Sequence, residues 1–215
     1  TLVNNKQFGN SIPASIGSLS LQSLTVSSQG LSGNIPDFIG NSKSLQSSLN
    51  NLDLSLNQIN GNLPSSVLQL KNLVTLNLGN NNLSGSIDSL GSASFQKTLA
   101  SLDLSSNTLS GSIPSSISQF SNLNILLLQK NKFSGSIPNS IGQCSNLSQL
   151  YLNNNQLSGN IPDSIGSLKK LITVNLSGNS LSGSIPTQMC QQNYNQCDLT
   201  LNNLSSNQRC QACQT

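Results

Sequence analysis

The sequence predicts an α/β solenoid, β-dominated, in which similar turns stack side by side around one continuous core. Three observations predict it. An aliphatic residue followed by Pro, or once by Asp, recurs at Ile12, Ile35, Leu63, Ile87, Ile113, Ile137, Ile161 and Ile185, at intervals of 23, 28, 24, 26, 24, 24 and 24 residues. A fixed period in that range marks stacked turns that bury their apolar edges only against their neighbours. Within each period two aliphatic residues alternate with outward ones, as Leu126 and Leu128 do with Ile125, Leu127 and Gln129, which is the period of a short strand. Three residues after six of these strands stands an Asn: Asn57, Asn81, Asn107, Asn131, Asn155 and Asn179.

Each slot has a physical task. The strand pairs Leu24 and Val26, Leu52 and Leu54, Leu76 and Leu78, Leu102 and Leu104, Leu150 and Leu152, and Val174 and Leu176 repeat Leu126 and Leu128, and in register they build one parallel sheet. The Asn carboxamide donates and accepts, so a buried file of them satisfies backbone groups where the chain leaves the strand. Gly33, Gly61, Gly85, Gly111, Gly135, Gly159 and Gly183 suit a bend at positive φ. Pro then fixes an extended exit, with Asp88 as its one replacement. Four extra residues before Asn50 and two between Gly91 and Leu99 fall on the outer side, where they disturb the stack least.

The 215 residues carry eight Lys, one Arg, six Asp, no Glu and no His, for a net charge of +3. There is no basic patch, which argues against a nucleic-acid partner. No apolar run approaches the roughly 18 residues that span a bilayer, so membrane insertion by this segment is not expected. With no Trp and 3% aromatic residues, stacking platforms for nucleotides have little to be built from, and no cofactor is expected.

The repeating pattern, nearly a consensus copy between Leu147 and Leu168, resembles the plant-type leucine-rich repeat over about residues 14 to 190. The resemblance implies a right-handed leucine-rich repeat superhelix. A concave parallel sheet, a second short sheet at the Ser-Gly-x-Ile-Pro segment and tight helical turns on the convex side come with it. Members are mostly extracellular: receptor-kinase ectodomains, polygalacturonase-inhibiting proteins, adhesion proteins and a few ice-binding proteins. The expected organisation is a solenoid of about eight repeats over residues 1–189, the first degenerate, and a cysteine-rich C-terminal cap over 190–215. The first repeat has Lys6 in the Asn slot, and the second has Gln29 there. Leu2, Val3 and Phe8 then face an unfinished end of the core, which predicts self-association through residues 1–20 or a preceding turn that covers them.

Cys190, Cys197, Cys210 and Cys213 crowd into the last 26 residues, and four cysteines allow three pairings. Two disulfides closing the last turn imply an oxidising, extracellular setting. Zinc held by four thiolates is the competing reading, against which the C-x6-C-x12-C-x2-C spacing counts. Cys144 occupies a slot held elsewhere by Leu19, Leu70, Phe120 and Leu168 and reads as a buried small hydrophobe. Asp53 and Asp103 share an outward slot with Asn77 between them, but an open sheet gives neither cleft nor burial for acid and base work, and no enzyme is predicted. Asn82, Asn146, Asn175 and Asn203 stand in glycosylation acceptor triplets.

Two surfaces compete as the binding site. Ser23, Thr25, Ser27, Asn51, Asp53, Ser55, Thr75, Asn77, Ser101 and Thr173 make the outward strand slots small and polar. Ile125, Leu127 and Tyr151, bordered by Lys130, interrupt them with apolar surface suited to a protein or cell-surface glycan. The flank after the strand instead offers regular files, Ser84, Ser86, Ser110, Ser112, Ser134, Ser136, Ser158, Asn160, Ser182 and Ser184, that suit ice or a crystalline polysaccharide.

Overall fold

Alternation of buried and outward residues sets the concave face. The structure, a computed structural model, describes the backbone of residues 2–3, and residues 10–205 and 210–214 in full. Among these, nine parallel strands pair in chain order: Leu2–Val3, Ser23–Thr25, Asn51–Asp53, Thr75–Asn77, Ser101–Asp103, Ile125–Leu127, Gln149–Tyr151, Thr173–Asn175 and Gln196–Asp198. In the eight three-residue strands the central residues are in register and buried, with Leu102 opposite Leu126 and Leu126 opposite Leu150. The residues on either side of each centre reach the concave surface.

A second parallel sheet of eight short strands runs from Ser32–Gly33 to Asn203–Leu204. The glycines of the Ser-Gly and Asn-Gly pairs lie at φ between 73° and 82°, the left-handed region that a Cβ disfavours. Beyond the extended exits at Pro114, Pro138 and Pro162, the chain makes single 3-10 turns, Ser115–Gln119, Asn139–Gln143 and Asp163–Ser167, that point Ile117, Ile141 and Ile165 into the core. The four-residue insertion replaces such a turn with two α-helices, Phe38–Asn41 and Lys43–Ser48. Ser42 between them caps the second by accepting from the Leu45 N–H at 3.2 Å, and its hydroxyl also donates to the Gly17 carbonyl. Gly40 permits the next turn to approach, since a Cβ there would stand 1.8 Å from the Ser66 carbonyl oxygen.

The Asn file is the polar spine of the stack. Asn107 Nδ2 donates to the carbonyls of Leu104 and Ser105 in its own turn and Leu78 in the preceding one, at 3.1, 3.0 and 3.0 Å, while its Oδ1 accepts from the Leu83 N–H at 2.9 Å. Asn57, Asn81, Asn131, Asn155 and Asn179 repeat the arrangement. The file then runs one turn beyond the last Asn slot read in the sequence. Asn202 donates to Leu176 and Leu199 carbonyls, both at 3.0 Å, and accepts from the Leu181 N–H at 2.9 Å. Cys197 and Leu199 fill the buried strand slots of that turn, so the cysteine-rich segment adds strands to both sheets.

Disulfides join Cys190 to Cys210 and Cys197 to Cys213, which leaves no free thiolate set for zinc. Cys144 is free and fully buried, and desolvation pushes its thiol up to about 11, so it is protonated and unreactive at neutral pH. The slot equivalence that placed Leu19 with Cys144 fails in exposure, because Leu19 is 44% exposed. Leu19 belongs to the first convex turn, and a solenoid residue is covered only by the turns beside it. Phe8 and the side chains of Leu2 and Val3, on which the expected self-association rests, lie outside the described residues.

Candidate functional site

The third residues of the concave strands form one column in register: Thr25, Asp53, Asn77, Asp103, Leu127, Tyr151, Asn175 and Asp198. The first residues form another, in which Ile125 lies between Ser101 and Gln149. The structure therefore brings Ile125, Leu127 and Tyr151 together on two adjacent strands. All three are half-buried, so each presents one flank of its side chain rather than its whole surface. The Tyr151 hydroxyl reaches Gln196 Oε1 at 3.5 Å, two strands further on. Lys130 follows the strand at φ 57°, exposed, in a slot that Asn80 and Asn154 fill at φ 56° in neighbouring turns.

The acids of the column have a local task that the sequence reading missed. Asp53 Oδ1 accepts from the Ser55 N–H at 3.0 Å and from its hydroxyl at 2.7 Å. Asp103 accepts from the Ser105 N–H at 2.9 Å, and Asp198 from the Thr200 N–H at 3.0 Å. Asn77 and Asn175 do the same for the N–H of Gly79 and Ser177, at 3.1 and 3.0 Å. Each of these side chains closes its own turn as the chain leaves the sheet, a local side-chain to backbone bond that competes with any other use of the carboxylate. Asp53 and Asp103 are thus turn caps. Among the described residues no group of His, Cys, Asp or Glu converges as a metal site. No helix among them is long and apolar enough to cross a membrane.

The flank carries its Ser and Asn files at the surface, half-buried at Ser84, Ser110, Ser134 and Ser182 and exposed at Ser86, Ser112, Ser136, Ser158, Asn160 and Ser184. Register sets Ser110 against Lys132 and Ser134 against Gln156, so the files run obliquely across the strands. Among the acceptor triplets, Asn82 is exposed. Asn146 donates to the Ser121 carbonyl at 2.8 Å and accepts from Lys170 Nζ at 2.7 Å, and Asn175 holds Ser177. Asn203 is exposed, beside the cap.

Open depressions lie away from the apolar patch. One of about 430 Å³ is lined by Lys169, Leu171, Ile172 and Gln188, and one of about 400 Å³ by Asn34, Ile35, Asp37 and Asn62. The concave patch is a face, of the kind that meets another macromolecule rather than enclosing a small one.

The pattern that defines the Leucine Rich Repeat family matches residues 72–93, 98–120, 122–144, 146–168 and 170–191, more than half of the chain. Comparison with curated proteins gives no match. Among solved structures, the plant peptide hormone receptor RGFR1 in complex with RGF2 is similar at 36% identity and a TM-score of 0.83, over 90% of this chain and 30% of the receptor. The Arabidopsis receptor kinase HAESA, solved with the peptide hormone IDA and the co-receptor SERK1, gives 34% identity and a TM-score of 0.76, over 90% of this chain and 31% of the receptor. The chain thus spans less than a third of the length of either receptor chain. A plant ice-binding protein shares the fold at 24% identity and a TM-score of 0.76, over 95% of this chain and 72% of that one. On the repeats matched and the two sheets they build, the chain belongs to the leucine-rich repeat family.

Proposed function

We propose that this chain is an extracellular binding module that recognises a protein ligand through the concave patch of Ile125, Leu127, Tyr151 and Lys130. One observation carries the reading: in a column otherwise made of Thr, Asp and Asn, two adjacent strands place Leu127 beside Tyr151 with Ile125 on the same face. A Tyr beside aliphatic residues, ringed by polar groups, has the composition of an interface hot spot. Two similar structures are receptors solved with peptide hormones, which supports a peptide or protein ligand over a glycan. The two disulfides support an oxidising, extracellular setting. The oblique Ser and Asn files give the flank less of the flat regularity that an ice or polysaccharide crystal would match, and the similarity to the ice-binding protein speaks to fold alone.

Peptides enriched by display selection against the intact chain supply the ligand for a test. Tyr151→Ala should weaken them by about 2 kcal/mol or more, the loss expected of a hot spot. Ser158→Ala on the flank should leave them unchanged. Peptides indifferent to Tyr151→Ala would remove the patch as the site.

A further inference from the structure

The column of turn caps is interrupted at two places, and they are adjacent. From Asp53 to Asp198 the N–H two residues on is held by an Asp or Asn in five turns, at Ser55, Gly79, Ser105, Ser177 and Thr200. The equivalent groups in the two remaining turns are the N–H of Gln129 and of Asn153, and Leu127 and Tyr151 have no oxygen placed to hold them. Neither N–H has a hydrogen-bond partner within the described residues. Because the caps reach this N–H from side chains on the concave face, the group is directed to that face. A backbone donor left without a partner is unusual enough to require one.

The same two turns hold further unpaired groups. Three buried side-chain polar atoms lack a partner among the described residues, and two of them are Gln129 Oε1 and Asn153 Oδ1. Lys130, next in the chain, is exposed and carries no ion pair among the described residues. The nearest acid in the column, Asp103, is turned away: a Cβ on Gly79 of the preceding turn would stand 2.9 Å from its Oδ1 and 3.1 Å from its Oδ2. Two donors in neighbouring turns, with a free ammonium next in the chain, therefore face a surface whose nearest carboxylate in the column is engaged elsewhere.

We infer that this patch binds a carboxylate side chain of an extended peptide segment, with an adjacent aliphatic residue of that peptide on Ile125, Leu127 and Tyr151. Parallel strands stand about 4.8 Å apart. The two oxygens of one carboxylate, each at about 2.9 Å from its donor, bridge that spacing between the N–H of Gln129 and of Asn153. Lys130 supplies the compensating charge. The apolar neighbours favour a peptide over an acidic glycan, whose surface is hydroxylic. This assignment rests on the concave-face reading above and specifies the ligand chemistry of that site.

The test is an amide NMR titration of the intact chain with two probes, N-acetyl-Leu-Glu-Leu-amide and its Gln counterpart. In the free protein the Gln129 and Asn153 amides should exchange with solvent faster than those of Ser55, Ser105 and Ser177; equal protection would overturn the premise. The Glu peptide should shift both amides along one saturation curve, with the Gln peptide at least about tenfold weaker, a difference of about 1.4 kcal/mol. Leu127→Asn restores the cap seen at Asn77 and Asn175 and should abolish the response at Gln129, whereas Leu127→Val, apolar and without a cap, should keep it. Lys130→Asn, a residue already accepted in that slot at Asn80 and Asn154, should weaken the Glu peptide alone. Binding to the patch with equal affinity for both probes would overturn the carboxylate assignment and leave the concave-face reading standing. No response at either amide, or a response to an oligogalacturonate in place of the peptide, would overturn the assignment as well.

Discussion

Asn107→Ala should destabilise the protein by about 3 kcal/mol, read as a lowered midpoint of denaturant unfolding. A buried polar group left without a partner costs about 1–3 kcal/mol, and each further hydrogen bond lost costs about 1 kcal/mol. The Leu83 N–H loses its acceptor, and the Leu78 carbonyl of the preceding turn loses the Asn107 amide that bonds it at 3.0 Å while keeping that of Asn81 at 3.1 Å. Asn107 is only 9% exposed, so water has little access to replace it. It also stands mid-file, and a solenoid is stable through the sum of its neighbour interfaces, so losing the bonds to Leu78 and Leu83 weakens the one with the preceding turn. Asn202, in the last turn of the file and half-buried, should cost less when truncated to Ala. Equal costs at the two positions would show that the file does not act as a spine.

Phe120→Ala should cost about 3–5 kcal/mol, the range for a large aromatic deleted from a core. Phe120 is fully buried, with its ring centroid 6.1 Å from that of Phe95 and the planes tilted by 39°. Phe95 belongs to the stretch lengthened by two residues between Gly91 and Leu99, so the inserted chain contributes a core side chain rather than bulging free. A slot that accepts Leu70, Cys144 or Leu168 in other turns cannot accept Ala here without a cavity, because Phe95 has packed against the larger ring. Phe120→Leu should cost less, and a loss below about 1 kcal/mol for Phe120→Ala would mean that the turn collapses to fill the space.

The period made most of the fold legible, because each slot repeats often enough for its task to be read from residue type. The buried strand centres, the positive-φ glycines, the convex turns and the Asn file all follow from it. The last turn was harder to read because Cys197 stands in a Leu slot and the chain between Gly183 and Asn202 departs from the repeat; the strand pairing of Cys197 with Val174 and the bonds of Asn202 reveal it. The helices around Ser42 were not foreseen either, since an insertion has no periodic partner to be compared with. At the site, Ile125, Leu127, Tyr151 and Lys130 stood out by polarity alone. What escaped notice was a tripeptide pattern: Asp53-Leu54-Ser55, Asn77-Leu78-Gly79, Asp103-Leu104-Ser105, Asn175-Leu176-Ser177 and Asp198-Leu199-Thr200. Against it, Leu127-Leu128-Gln129 and Tyr151-Leu152-Asn153 are the two exceptions between Asp53 and Thr200. That signal lies in the sequence, but its meaning depends on knowing which N–H the Asp or Asn holds.

The concave face as binding surface is tested most directly by a hydrogen-exchange footprint of the intact chain with and without a display-selected peptide at saturation. Amides within 125–130 and 149–154 should gain protection on binding, while those of 134–136, 158–160 and 182–184 on the flank exchange as before. Protection confined to the flank, or to the disulfide cap, with no change around Leu127 and Tyr151 would contradict the account.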